Sequence, residues 1–120
     1  MPSSNPVALV TGASRGIGRA IGRMLGAVGC RVHGVGRTAR SSDSDFATIY
    51  ASEDLDQALA DADYVVVAAP LTEKTRGIFG AKQFTAMKKS ARFINVGRGA
   101  LVIEPALVAA LDQQQIAGAA

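Results

Sequence analysis

The stretch Val7-Ala-Leu-Val-Thr-Gly-Ala-Ser-Arg-Gly-Ile-Gly18 constrains what this chain can fold into more than any other. Four apolar residues, Val7 to Val10, run into a glycine-rich turn. The turn opens onto helical apolar spacing at Ile17, Ile21, Leu25 and Val28. A strand, a tight turn and a helix in that order begin a nucleotide-binding βαβ unit. Gly12, Gly16 and Gly18 leave room for the turn, and for a pyrophosphate to reach backbone N–H groups that a side chain would cover. The helix aims its unpaired N–H groups and positive dipole end at the phosphates. Ser14, Arg15 and Ile17 share the turn and are candidate contacts. A tight turn with no ligand is the competing reading, since glycine turns before helices are common. Gly22, Gly26 and Gly29 are poor helix formers. Close helix–sheet packing accounts for the first two, and a helix end for Gly29.

A chain of 120 residues with 48% apolar content suits one domain with a single core. No apolar run approaches a membrane span; the longest is Tyr64 to Pro70 with its neighbours. The opening Met-Pro-Ser-Ser-Asn-Pro has neither the basic region nor the apolar core of a secretory signal. Cys30, the one cysteine, can form no internal disulfide, so a cytoplasmic location and a small buried residue are expected. The net charge of +3 is mildly basic, but no basic run alternates with aromatics, so a nucleic-acid surface is not expected. Lys88, Lys89 and Arg92 read as a solvated helix end. One histidine and one cysteine make no metal ligand set and no Ser-His-Asp or Cys-His arrangement.

Strands read at 7–10, 31–35, 48–50, 64–68, 91–96 and, weakly, 116–120. Helices read at 17–28, 55–60, 81–88 and 105–113. Ser52 is placed to cap the second helix, with Leu55 and Leu59 inward. Glu104 and Pro105 suit the start of the fourth. Tyr64-Val-Val-Val-Ala-Ala reads as a strand buried on both faces. The expectation is α/β: a Rossmann-like doubly wound parallel sheet in a single three-layer domain over residues 1–120. Its strand order is 3-2-1-4-5, with 116–120 as a sixth strand. Ligands then bind at the carboxyl ends of the strands, at the switch between strands 1 and 4.

The end of strand 2 bears on which dinucleotide. An NAD site usually places Asp or Glu there, to accept from the ribose hydroxyls. Here Arg37 and Thr38 follow the strand, with Arg40 close by. Guanidinium groups around an adenosine 2′-phosphate make charge-assisted hydrogen bonds worth roughly 1.5–3 kcal/mol each. NADP is therefore the expected cofactor and NAD the alternative. Surface charge alone is the competing reading. Asp43 and Asp45 would reverse the preference if the polar loop 37–45, expected to be exposed, folds back.

Several blocks carry a family resemblance. They are Ala62-Asp-Tyr-Val-Val-Val-Ala-Ala-Pro-Leu-Thr72 with Thr75 and Gly77, then Phe84, Met87-Lys88 and Phe93-Ile-Asn-Val-Gly-Arg-Gly99. Ala106-Leu107, Ala110-Leu111 and Ile116-Ala-Gly-Ala-Ala120 follow. From about Gly18 to Ala120 the chain resembles the cofactor domain of the D-isomer-specific 2-hydroxyacid dehydrogenases. Its glycine turn instead resembles that of the short-chain dehydrogenases/reductases, T-G-x-x-x-G-x-G, where the first family has G-x-G-x-x-G. That second resemblance ends early, because no Tyr-x-x-x-Lys pair follows. The combination reads as a chimera, an engineered one rather than a natural hybrid.

The resemblances imply roles. Arg15 matches the short-chain arginine near the 2′-phosphate. Pro70, Leu71, Thr75, Val96 and Gly97 would flank the nicotinamide half, and Arg98 would hold the substrate carboxylate and carbonyl, with a structural ion pair as the bland alternative. The family's glutamate and acid/base histidine, and its substrate domain, have no counterpart in these residues. His33 lies inside strand 2, where a packed histidine is the expectation. The family also implies pairing through the cofactor domain, hence a homodimer. Three readings stay open: an NADP(H)-binding domain catalytically incomplete by itself, a fragment of an active glyoxylate/hydroxypyruvate reductase-like enzyme, or a scaffold with no ligand.

Overall fold

The computed structural model describes residues 5–13, 16–41 and 43–120. Six parallel strands form one sheet: β1 (Val7–Thr11), β2 (Arg31–Gly36), β3 (Thr48–Ala51), β4 (Tyr64–Val67), β5 (Arg92–Asn95) and β6 (Gly118–Ala119). Their order is β3-β2-β1-β4-β5-β6, so the chain reverses direction across the sheet at the β1–β4 pair. This is the doubly wound arrangement expected, and it includes the sixth strand. The register runs Thr11 to Val35 on one side and Thr11 to Val67 on the other, which brings three strand ends together. No helix among the described residues is long and apolar enough to cross a membrane.

The helices are α1 (Gly16–Ala27), α2 (Leu55–Leu59), α3 (Ala81–Ala86) and α4 (Glu104–Asp112). Alternation along the strands divides the core between the two faces of the sheet. Leu9, Val35, Val65, Val67 and Phe93 meet Leu55 and Leu59 of α2, Phe84 of α3 and Ala110 of α4. Phe79 and Phe84 each approach Phe93, with ring centroids 5.1 Å away. On the other face Val10, Val32, Ile49 and Val66 pack with Ala13 and Phe46, under Ile21 and Leu25 of α1. The N-terminal edge of the sheet is tied by Asp63, whose carboxylate accepts from the Val7 N–H at 2.8 Å and from Lys88 Nζ at 3.1 Å.

Of the apolar positions read along helix α1, Ile21 and Leu25 pack on the core as expected, and Ile17 and Val28, the latter just past the helix end, do not. Gly18 and Gly22 are its buried residues, whereas Ile17 and Val28 are 70% and 79% exposed. The reason is Phe46. Its ring lies where a Cβ on Gly22 would be, 2.5 Å from two ring carbons, so the glycine admits a side chain from a loop rather than the sheet. Gly26 meets only ordinary contact with Val32, and close packing does not require it. Gly29 does end the helix. With φ of +103° it carries a 6→1 bond from Cys30 N–H to Leu25 O and a 5→2 bond from Gly29 N–H to Gly26 O. Cys30 is half-buried beside the α1-side core.

Other boundaries also move. Ser52 does not cap α2; it opens a 3-10 turn, and its Oγ donates to Gly36 O at 3.1 Å. Helix α3 stops at Ala86, because Met87 is extended. Tyr64 is 37% exposed, so only Val65 to Val67 of β4 are buried. Glu104 and Pro105 do start α4.

Candidate cofactor site at the carboxyl edge of the sheet

Three chain segments converge where β1, β4 and β5 end. The first is the glycine turn. Gly12 has φ of +70°, and both Gly12 and Ala13 donate their N–H groups to Val35 O, at 3.1 and 3.2 Å. A Cβ on Gly12 would lie 2.7 Å from Ala69 Cα, and one on Gly18 would lie 2.1 Å from Gly12 O. Gly12 and Gly18 are therefore required by the close approach of backbone to backbone. Gly16 is different: it has φ of +68°, and nothing lies within 4 Å of the Cβ it lacks. It sits at the start of α1, whose first turn carries no acid. The N–H groups of a first helical turn have no partner within the helix, so Gly16, Ile17 and Gly18 present donors and an uncompensated positive dipole end. Ser14 and Arg15 lie outside the described residues.

The second segment follows β4. Thr11 Oγ1 accepts from Ala68 N–H at 3.2 Å and joins the ends of β1 and β4. In the next loop Thr75 Oγ1 donates to Pro70 O at 2.7 Å and accepts from Thr72 N–H at 2.7 Å. The loop carrying Pro70 is thus held by its own side chain, and Leu71 packs against the larger core. The third segment follows β5. Val96 and Gly97 both donate to Val67 O, at 3.0 and 3.1 Å. Asn95 folds over the turn: Oδ1 accepts from Gly97 N–H at 2.9 Å, and Nδ2 donates to Arg98 O at 3.1 Å. A Cβ on Gly97 would lie 2.7 Å from Leu101 and 3.3 Å from Ala69 O. The backbone at Ala69 is therefore flanked by Gly12 on one side and Gly97 on the other. Val96 and Arg98 are exposed beside it.

Beyond β2 the chain passes through Arg37 and Thr38, both exposed, and folds back so that Arg40 pairs with Ile49 in an antiparallel bridge. The fold-back does not bring the acids to the end of β2. Arg19 of α1 takes Asp43 with two parallel bonds, Nη1 at 3.0 Å and Nη2 at 2.9 Å, and reaches Asp45 at 2.6 Å. Arg23 holds Asp45 through Nε and Nη2, each at 3.3 Å. The two carboxylates are 7% and 12% exposed, which corrects the expectation of an exposed loop throughout. The Arg19 bond keeps the Asp43 carboxyl well below the usual carboxylate range; Arg23, then Arg19, lower that of Asp45. Arg40 Nη1 stands 4.0 Å from Asp43, at the rim of this cluster. The Arg19 guanidinium also lies 5.3 Å over the Phe46 ring.

Arg19, Arg23 and Phe46 belong to none of the sequence motifs. Their signal was present: two arginines one helical turn apart, and two acids at alternate positions in a loop. His33 is packed in the sheet, edge-on to Tyr50 at 5.8 Å, with Nδ1 buried and without a hydrogen-bond partner. Burial, and then Arg31, lowers its basicity. Among the described residues no group of His, Cys, Asp and Glu is placed to hold a metal ion.

Residues 4–120 match the NAD binding domain of the D-isomer specific 2-hydroxyacid dehydrogenases. The match takes in the glycine turn and reaches further towards the N-terminus than the motif blocks do. The glyoxylate/hydroxypyruvate reductase B of Salmonella newport (strain SL254) is 57% identical over 63 residues, which are 52% of this chain and 19% of that protein. Phosphoglycerate dehydrogenase from Lactobacillus plantarum superposes with a TM-score of 0.87 at 34% identity, over 99% of this chain and 39% of that one. An NADPH-dependent glyoxylate/hydroxypyruvate reductase from Sinorhizobium meliloti, solved with NADP and sulfate, gives 0.86 at 31% identity, over 98% and 38%. The chain thus spans less than half the length of these proteins.

Proposed function

The chain belongs to the D-isomer specific 2-hydroxyacid dehydrogenases as their NAD(P)-binding domain, and on that premise we propose that it binds NADP(H) in preference to NAD(H). The pyrophosphate lies on the glycine turn, against the Gly16, Ile17 and Gly18 amides. Arg37, Thr38 and Arg40, with Arg15, take the 2′-phosphate. The Pro70–Thr75 loop, Val96 and Gly97 flank the nicotinamide half. The observation that carries this reading is at β2: its end runs into Arg37, and the nearest loop acids, Asp43 and Asp45, are turned to Arg19 and Arg23. Isothermal titration with NADP⁺ and NAD⁺ at matched salt tests it. The expected result is NADP⁺ binding tighter by about tenfold or more, a difference one charged hydrogen bond can supply. Equal affinities would refute the 2′-phosphate assignment, and no heat with folded protein would leave only a scaffold.

In the whole protein the domain serves reduction of a small 2-oxoacid of the glyoxylate or hydroxypyruvate class, with Arg98 as the carboxylate-binding group. A guanidinium fork suits a carboxylate, and Arg98 stands exposed where β5 ends. NADPH would supply the hydride. The proton comes from residues outside this stretch, since His33 is enclosed in the sheet. Pairing the chain with a substrate domain of the family is expected to give turnover of glyoxylate or hydroxypyruvate. The domain also pairs with a second copy, a reading supported by exposed Ile17 and Met24 on α1 with Val28 just past its end, and it resides in the cytoplasm, as its lone cysteine suits. Light scattering on Met24→Glu tests the pairing: loss of a dimer supports it, and a monomer before mutation refutes it.

A further inference from the structure

We propose that Arg19 is a specificity-positioning residue: with Arg23 it keeps Asp43 and Asp45 away from the adenosine ribose, so that the loop after β2 offers the cofactor cations rather than acids. The inference rests on the reading that this domain prefers NADP(H).

The loop contains both kinds of group. Arg37 and Arg40 would attract a 2′-phosphate. Asp43 and Asp45 would repel it, and a carboxylate brought to the ribose would accept from the free hydroxyls of NAD instead. Which pair acts depends on where the loop is held. Its backbone is fixed at one end by the Arg40–Ile49 bridge, with mutual N–H to O bonds of 2.8 Å. At the other end buried Phe46 is wedged against Gly22 of α1 and Gly34 of β2. Between these anchors the acids face α1. Arg19 decides the matter by geometry. It is one-fifth exposed, it meets Asp43 fork to fork, and it reaches Asp45 with the same guanidinium. Asp45 Oδ atoms also meet Arg23, and Asp45 N–H donates to Asp43 Oδ1 at 2.9 Å, so the two acids are locked together. With Asp43 committed to Arg19, Arg40 at 4.0 Å keeps only a distant share of its charge. Such bidentate pairs are specific in direction as well as strong.

The test is the ratio of NADP⁺ to NAD⁺ dissociation constants in wild type, Arg19→Gln, and Arg19→Gln/Asp43→Asn/Asp45→Asn, with thermal melts on each. Release of the acids in Arg19→Gln is expected to weaken NADP⁺ about tenfold and to leave NAD⁺ unchanged or tighter. Removal of the acids in the triple variant is expected to restore the preference without restoring the clasp. A purely structural Arg19 would weaken both cofactors equally in both variants, and that result, or an unchanged ratio in Arg19→Gln, overturns the proposal. If Arg19→Gln does not fold, Asp43→Asn/Asp45→Asn with Arg19 intact decides: NADP⁺ preference kept or raised supports the proposal, and preference lost refutes it. A wild type with no preference instead removes the underlying reading of the site.

Discussion

Deleting the Phe46 ring should reverse the sign of a mutation on a different element. The ring is 3% exposed, fills the gap left by Gly22 on α1 and borders that of Gly34 on β2, which Ala13 shares. Phe46→Ala is expected to cost about 3–5 kcal/mol, including lost transfer energy, the cavity and the contact with Arg19. Gly22→Ala adds a Cβ 2.5 Å from two ring carbons. Such overpacking costs about 1–3 kcal/mol, against a gain of about 1 kcal/mol for replacing glycine inside a helix. Alone, then, Gly22→Ala is neutral to destabilising by about 2 kcal/mol. In the Phe46→Ala background the obstacle is gone, and the same change should stabilise by about 1 kcal/mol. The coupling is therefore about 1–3 kcal/mol, above the scatter of about 0.5 kcal/mol for independent sites. Equilibrium urea unfolding of the wild type, both single variants and the double variant measures it, with slopes compared to confirm that compactness is unchanged. If Gly22→Ala has the same effect in both backgrounds, the ring does not occupy the space the glycine leaves, and the account of α1's packing fails.

Gly18→Ala places a Cβ 2.1 Å from Gly12 O, so it should lower the melting temperature and abolish the further rise that NADP⁺ gives; a preserved ligand-dependent rise would contradict the turn's role. The carboxyls of Asp43 and Asp45 lie below their unfolded value of 3.8. Their stabilisation is thus complete at neutral pH, and it is lost as the pH falls from that value through the depressed folded ones. Asp43→Asn/Asp45→Asn should flatten the acid limb of melting temperature against pH, and an unchanged limb would show that these pairs do not govern it. The His33 imidazole is held below its ordinary 6.5 by burial and then by Arg31. Stability should therefore rise with pH between the folded and unfolded values, and the ring should titrate below 6.5 by NMR; a midpoint above 6.5 would refute its enclosure.

The strand order and the carboxyl-edge location of the site were legible because parallel βαβ units leave few topologies. The motif blocks after β4 and β5 placed Pro70, Thr75, Gly97 and Arg98 at that edge. The facing of α1 was legible only in part. Helical spacing identifies Ile21 and Leu25, which pack on the core, but it also takes in Ile17 and Val28, which are exposed, and the most buried positions are Gly18 and Gly22, which have no hydrophobicity to read. Phe46 is illegible in the sequence for a related reason: one aromatic in a polar loop has no period. The acids at 43 and 45 were seen as rivals of the arginines, but their partners lay more than 20 residues away on α1. The glycine turn lies within the family match, and Gly12 and Gly18 meet there at backbone contact.

The loop after β2 contributes the largest side chain of the core under α1, since Phe46 exceeds every other residue there in size. A surface segment that faces a ligand can usually be exchanged between relatives at little cost to folding. Here it cannot. An exchange of residues 37–47 meant to redirect the domain from one dinucleotide to the other would withdraw the peg that spaces helix from sheet and leave Gly22 opposite a void. On the proposed reading of the loop, cofactor preference and thermal endurance are inherited together, and a successful swap must bring its own aromatic at 46 or fill the space beside Gly22 from the helix.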